Sequence, residues 1–337
     1  MNPGRLRGSL RKRNGSQVSE RKGKGDRKME NRWTAVRWLA AGLIIASFIG
    51  MLLFSNIGLV SKGKDWGVAE DGLLEYSLSA PEYSLRPSEN TSNSTLYEVG
   101  FTSRGEQIAG LLRAPQLKKD GGEQNKSIPG IVLLPGATVT KEREQGLAKY
   151  LCGLGYAIIT LDQRNLGATN PQADLQMFLR GMEPTEHKMV YDALACAEIL
   201  RSLPGIDPNL IIYAGESNGG RIAIIACALD TKARGVVAIS TSGYGTGAAI
   251  ASGELSDPKM IRFYRSIDPD TYLGKITPRK LVMIHSLNDT VIPYEYAEQT
   301  YTKAFWPKIL HTVDCAKHGY CTKMNAFLEK ELRGMSS

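Results

Sequence analysis

The sequence is short of the residues that mark several classes of protein. Five cysteines in 337 residues, with no Cys-x-x-Cys pair, do not make a disulfide scaffold or a structural zinc site. The four histidines, His187, His285, His311 and His318, form no His-Glu-x-x-His, so neither a metal nor any other cofactor is expected. An excess of positive charge is also lacking once the first residues are passed. Residues 1–37 hold 12 Lys/Arg against 3 Asp/Glu, a net of +9 in a chain whose total is +8, which leaves −1 for all the rest. A body without a basic footprint is not built for a phosphate backbone, and no nucleic-acid partner is expected. At 42% hydrophobic and 23% charged, with 35 Gly and 15 Pro, the composition excludes collagen, coiled coil and full-length disorder.

One long run does lack charge altogether. Residues 38–60 (WLAAGLIIASFIGMLLFSNIGLV) are uncharged over 23 positions, where a helix needs about 20 to cross the hydrocarbon core. A core helix would show a polar face, and a signal peptide has a shorter apolar run with a small-residue cleavage site. A single transmembrane helix is therefore expected, with the basic tail kept cytoplasmic and residues 61–337 outside. With no cysteine beside this run, a lipoprotein anchor is not supported. Outside, the sequons at Asn90, Asn93, Asn125 and Asn288 matter only where the host glycosylates, while the one at Asn14 stays in the tail. Cys315 and Cys321 are close enough to pair in an oxidising compartment. Cys152, Cys196 and Cys227 fall within apolar helical patterns and read as buried thiols.

Residues 61–95 carry no sustained apolar period and read as a linker with at most a short element near 73–78. The body begins near 96, where 96–102 and 107–112 flank a turn as a β-hairpin would. Strand and helix then alternate: strands at 131–134, 157–161, 210–214, 235–240, 280–285 and 308–313, helices at 141–154, 186–203, 219–229, 294–303 and 323–332. That alternation specifies an α/β fold whose mostly parallel central sheet is covered by helices on both faces. Residues 244–277, rich in Gly, Pro and aromatics, interrupt it as a small cap or excursion. No internal repeat is visible.

The chemistry sits at the turns. Gly215-Glu216-Ser217-Asn218-Gly219 lies between a buried strand and a helix, where a sharp turn lifts a serine above the sheet edge. The bland reading is a glycine-rich helix cap. A serine nucleophile needs a base and a group to orient it. His318 is the best-placed base, in a polar loop after the last strand, whereas His285 and His311 lie within strands and read as packed or hydrogen-bonded core residues. Asp289, in the turn after 280–285, is the candidate acid, although an Asn-Asp pair also serves simply to turn the chain. Asp257, Asp268 and Asp270 are poorer candidates, since they fall in the excursion. Oxyanion donors would be the backbone N–H of Asn218 and that of Ala137, which follows the turn at Pro135-Gly136.

These segments together resemble the α/β-hydrolase superfamily, and most of all its dienelactone hydrolase and prolyl-oligopeptidase-like esterase branch. They are LLPGAT, YAIITLDQRNLGAT with its Asp-x-Arg-x-x-Gly turn, GESNGG, HSLNDTVIP and KHGY. The resemblance covers about residues 96–333 and implies a serine esterase with the order Ser217, Asp289, His318. Two departures stand out: Pro135 where many members have His, and Asn165 where Gly is usual. The expected activity is hydrolysis of a small carboxylic ester. The alternatives are a serine peptidase of the same fold, taking a peptide, and a non-catalytic binding module. The excursion and 169–184, with Leu175, Met177, Phe178, Leu179 and Met182, are candidate pocket walls or simply packing at the helix edge. Nothing in the sequence specifies an oligomeric state.

Overall fold

A computed structural model describes residues 65–116 and 127–337. The basic tail, the apolar run at 38–60 and Asn125 lie outside the described residues; among those described, no helix is long and apolar enough to cross a membrane. In chain order the strands are β1 (Trp66–Val68), β2 (Leu74–Tyr76), β3 (Tyr83–Asn90), β4 (Ser94–Ser103), β5 (Glu106–Pro115), β6 (Ile128–Leu134), β7 (Ala157–Leu161), β8 (Ile206–Glu216), β9 (Gly235–Ile239), β10 (Lys280–Ser286) and β11 (Lys308–Val313). The helices are α1 (Gln145–Gly153), α2 (Pro171–Leu179), α3 (Thr185–Ser202), α4 (Asn218–Leu229), α5 (Thr246–Ala251), α6 (Pro258–Ile267), α7 (Leu273–Ile276), α8 (Tyr294–Lys303) and α9 (Asn325–Ser336).

Nine strands form one sheet in the order β11-β10-β9-β8-β6-β7-β5-β4-β3. From β7 through β11 neighbours run parallel, and β3, β4 and β5 close the far edge antiparallel. The expected hairpin is β4–β5; its two turn residues, Arg104 and Gly105, have φ of 49° and 77°, the doubly positive turn that matches strand twist. Neighbouring β6 residues face opposite ways, as a pleated strand requires. Val132 and Leu134 pack with α3 and α4, while Ile131 and Leu133 pack with α1 and α9. Helices therefore cover both faces, and each fully buried Ile or Leu contributes roughly 1.5–3 kcal/mol.

The linker expected at 61–95 needs correction. Its described part holds the β1–β2 hairpin and all of β3, which pairs with β4 as the edge strand of the main sheet. β3 is mostly exposed and contains Pro87 at a register shift, so no apolar alternation betrays it; edge strands are where such sequences are tolerated. Two excursions leave the carboxyl ends of parallel strands. The one after β7 carries α2; the one after β9 carries α5, α6 and α7. They meet in a small apolar cluster of Leu175, Phe263 and Ile267, joined by Phe178, Met260 and Tyr264. Leu179 and Met182 stay exposed.

Candidate active site

β8 ends at Glu216 and α4 starts at Asn218, leaving Ser217 to make the whole turn at φ 51°, ψ −119°, a region that non-glycine residues rarely enter. Two glycines make the turn sterically feasible. A Cβ on Gly215 would collide with the Gly219 carbonyl, and one on Gly219 with the Leu134 and Pro135 carbonyls. Ser217 is held by its own backbone: its N–H donates to Ile239 O (2.9 Å), and its carbonyl accepts from Thr241 Oγ1 (2.7 Å).

The structure brings Asp289 and His318 together. His318 Nδ1 lies 2.7 Å from Asp289 Oδ2, and the other carboxylate oxygen accepts the N–H groups of Val291 and Ile292 at 3.0 Å each. Burial works against ionisation of Asp289, but those N–H groups and His318 outweigh it and hold its carboxyl below the usual range. The loop that carries His318 is anchored beside Ser217. Tyr320 N–H donates to Glu216 Oε2 (2.9 Å), Gly319 N–H to Ser240 Oγ (3.2 Å), and a Cys315–Cys321 disulfide closes the loop around His318. Ser217 and His318 are not hydrogen-bonded to each other in this state; His318 Nε2 is buried and has no partner.

The proposed oxyanion turn lies directly against the serine, since a Cβ on Gly136 would sit 3.5 Å from Ser217 Cβ. Ala137 N–H makes no hydrogen bond, and Asn218 N–H, at the first helical position, has no acceptor in the helix. The Asp-x-Arg-x-x-Gly turn supports this region. Gln163 Nε2 donates to Pro135 O (2.5 Å), Thr138 N–H to Leu166 O (2.7 Å) and Asn218 Nδ2 to Gly167 O (3.0 Å). Asn165 has φ 50° and donates through Nδ2 to Ala168 O; a left-handed position explains a residue that takes the place of Gly there. Arg164 fixes the turn from below, bidentate to the buried Asp192 at 2.7 and 3.1 Å.

The other histidines are structural. His285 Nε2 pairs with Ile292 O (2.8 Å), His311 with Glu331 (3.0 Å) and His187, fully buried, with Ser266 Oγ (2.7 Å). The acids of the excursion have structural partners too: Asp257 caps α6, Asp268 accepts the N–H groups of Tyr244 and Thr246, and Asp270 pairs with Lys303. Cys152, Cys196 and Cys227 are buried and free.

The sequence model of the acetyl xylan esterase (AXE1) family matches residues 66–288, about two thirds of the chain. The chain belongs to that family. It is a serine hydrolase of the carboxylesterase kind, on the α/β-hydrolase fold. The uncharacterised protein YfhR of Escherichia coli O157:H7 is 27% identical over 229 residues, 65% of this chain and 72% of that one. Among solved structures, acetyl xylan esterase 1 from Thermoanaerobacterium sp. JW/SL YS485 superposes with TM-score 0.59 at 16% identity, covering 76% of this chain and 89% of the other. A glucuronoyl esterase from Solibacter usitatus does so with TM-score 0.57 at 13% identity, over 81% and 89%. These structural likenesses bear on the fold alone.

The family match ends one residue before Asp289 and so reaches neither the candidate acid nor the candidate base. Sequence reasoning missed one polar feature of the site. Glu144 is buried with its carboxyl close to that of Glu216, and burial and the neighbouring Glu216 carboxylate push its carboxyl up to about 10. Glu216 was visible as a variable position of the pentapeptide, but its partner lies 72 residues away and no spacing announces it.

Proposed function

We propose that the protein hydrolyses small carboxylic esters, with Ser217 as nucleophile, His318 as base and Asp289 as the group that orients the imidazole. Ser217 Oγ attacks the acyl carbonyl while His318 Nε2 takes its proton, and the N–H groups of Ala137 and Asn218 receive the developing oxyanion. The alcohol leaves with the proton that His318 returns. Water, deprotonated by the same histidine, then releases the acid and restores the serine. The observation that carries this reading is the 2.7 Å Asp289–His318 bond in a loop bonded to Glu216, the residue preceding a serine in a left-handed turn.

Short acyl esters are the first substrates to try, in view of the acetyl xylan esterase family. The proposed setting is a membrane surface, with the uncharged run at 38–60 as anchor and the catalytic body outside the cytoplasm. The test is labelling of the detergent-solubilised full chain by a fluorophosphonate probe, beside Ser217→Ala. Labelling by the wild type, lost in the variant together with at least about 10⁴-fold of ester turnover, is the expected result. A folded wild type that never labels would overturn the mechanism. Cell fractionation tests the anchor: ester turnover should pellet with the membranes for the full chain and stay in the detergent-free supernatant for a chain without residues 38–60, and a full chain found in that supernatant would overturn the anchoring.

A further inference from the structure

A cavity of about 440 Å³ opens beside the candidate residues. Ser217, Asp289 and His318 do not line it, but several wall residues are bonded to them or adjoin residues that are. Val291 and Ile292 are the two residues whose N–H groups hold Asp289, and Ser242 follows Thr241, whose hydroxyl holds the Ser217 carbonyl. Arg221 comes from the first turn of α4, its N–H donating to Ser217 O at 3.3 Å. A volume of this size suits a small ligand.

Arg221 is unusual among the charged groups here. Its Nε donates to Ser242 O (2.9 Å), and its guanidinium lies 4.3 Å from the centre of the Tyr244 ring, so the planar fork is fixed before any ligand arrives. Its two terminal nitrogens make no hydrogen bond, and it forms no ion pair with any described residue. The cavity's other cation, Lys303, is already paired with Asp270. Across Tyr244, whose hydroxyl donates to Glu186 Oε2 (3.2 Å), Glu186 is an incomplete counter-charge: burial, with Asp174 nearby, raises its carboxyl to about 7 in spite of Arg221. A half-buried, pre-oriented guanidinium without a carboxylate is a site for one, since the fork matches two carboxylate oxygens at once.

We propose that Arg221 is a specificity residue, and that the ester this enzyme prefers carries a carboxylate which enters the cavity and pairs with the free face of the guanidinium. The inference rests on the hydrolase reading above and names the substrate class of that same site. A neutral ester leaves Arg221 unpaired in a cavity from which the ligand has driven the water; an anionic one satisfies it.

The test compares matched esters on the full chain. On the acyl side the pair is 4-nitrophenyl hemisuccinate and 4-nitrophenyl butyrate, on the alcohol side 4-acetoxybenzoate and 4-acetoxybenzamide. The wild type is expected to favour the anionic member of at least one pair by about tenfold or more in kcat/KM, and Arg221→Gln to erase that ratio, chiefly through KM. Arg221→Lys, which keeps the charge and loses the fork, should fall between them. Fluorophosphonate labelling of each variant shows that its site is assembled, and if Arg221→Gln fails to label, Arg221→Lys alone decides. A labelled wild type that prefers the neutral esters, or a preference that survives both variants, overturns this inference and leaves the hydrolase intact. Absence of labelling in the folded wild type overturns the hydrolase reading first.

Discussion

At the carboxyl edge of the sheet, Ser217, Asp289 and His318 sit among short directed bonds, whereas the helices that leave the same edge are joined mainly by apolar contact. Around the three residues the supports are directed bonds: Ile239 O and Thr241 on Ser217, Val291 and Ile292 on Asp289, Glu216 and Ser240 on the loop that carries His318. In the excursions, α2 and α6 meet through Leu175, Phe263 and Ile267. Hydrogen bonds fix atoms to the few tenths of an ångström that proton transfer demands. Apolar burial is non-directional and tolerates a change of shape when volume is kept. The division lets the excursions change while the polar residues of the candidate site stay where they are.

Substitutions that separate activity from stability put this contrast to the test. The largest effect is expected at Asp289→Asn. The amide still accepts from Val291 and Ile292, so the loop keeps its shape and unfolding free energy drops by no more than about 1 kcal/mol. Turnover should fall about 10³–10⁴-fold, because the wrong histidine tautomer is favoured. Ester kinetics beside a urea melt read both. A melt that collapses along with activity would mean that Asp289 is structural first. Phe263→Ala is the opposite case. Phe263 is fully buried between the excursions, with ring centroids 5.6 Å from Phe178 and 5.2 Å from Tyr264. Its loss should cost about 3–5 kcal/mol in unfolding free energy, while kcat on a short acetyl ester at a temperature where the variant is folded changes only a few-fold. Equal losses in kcat and stability would erase the distinction between edge and excursion.

Legibility in the sequence divided along the same line. The buried strands announced themselves as unbroken apolar runs, and the helix at Tyr294–Lys303 and the strand at Lys308–Val313 lie where periodicity put them. The candidate nucleophile and acid were visible because each lies in a short polar turn next to a buried strand, and the candidate base because it lies in the polar loop after the last strand. β3 was not, because an exposed edge strand has no face to hide. Nor were the supports of the site: Arg164 and Asp192 are 28 residues apart, Glu216 and Tyr320 are 104 apart, and a one-dimensional pattern holds no trace of such pairs. The cavity at Arg221 was equally invisible, since it forms only where the ends of β9 and β10 come to lie side by side.

The smallest effect, and the one that probes those supports directly, concerns Glu144. Its carboxyl has an ordinary value of 4.5 in an unfolded chain and about 10 in the folded one. Between those pH values the folded state therefore holds more protons than the unfolded, and its stability must fall as pH rises. The contribution is complete below about pH 4.5 and is lost progressively up to the folded value. Glu144→Gln replaces the carboxylic acid with an amide that donates to Glu216 and never ionises. Glu216 then keeps its hold on Tyr320 N–H, and the cost of keeping a proton on Glu144 disappears. Relative to the wild type, the variant should gain on the order of 2 kcal/mol at pH 8 and little at pH 5. Burial also raises Glu183 and Glu186 to about 7, so both proteins retain a decline with pH; the difference between their slopes is the signal. Urea unfolding at pH 5, 6.5 and 8 measures it, and parallel slopes would mean that Glu144 is ionised in the folded protein. The polar edge would then hold two like charges, on Glu144 and Glu216, and the order attributed here to directed hydrogen bonds would have to come from elsewhere.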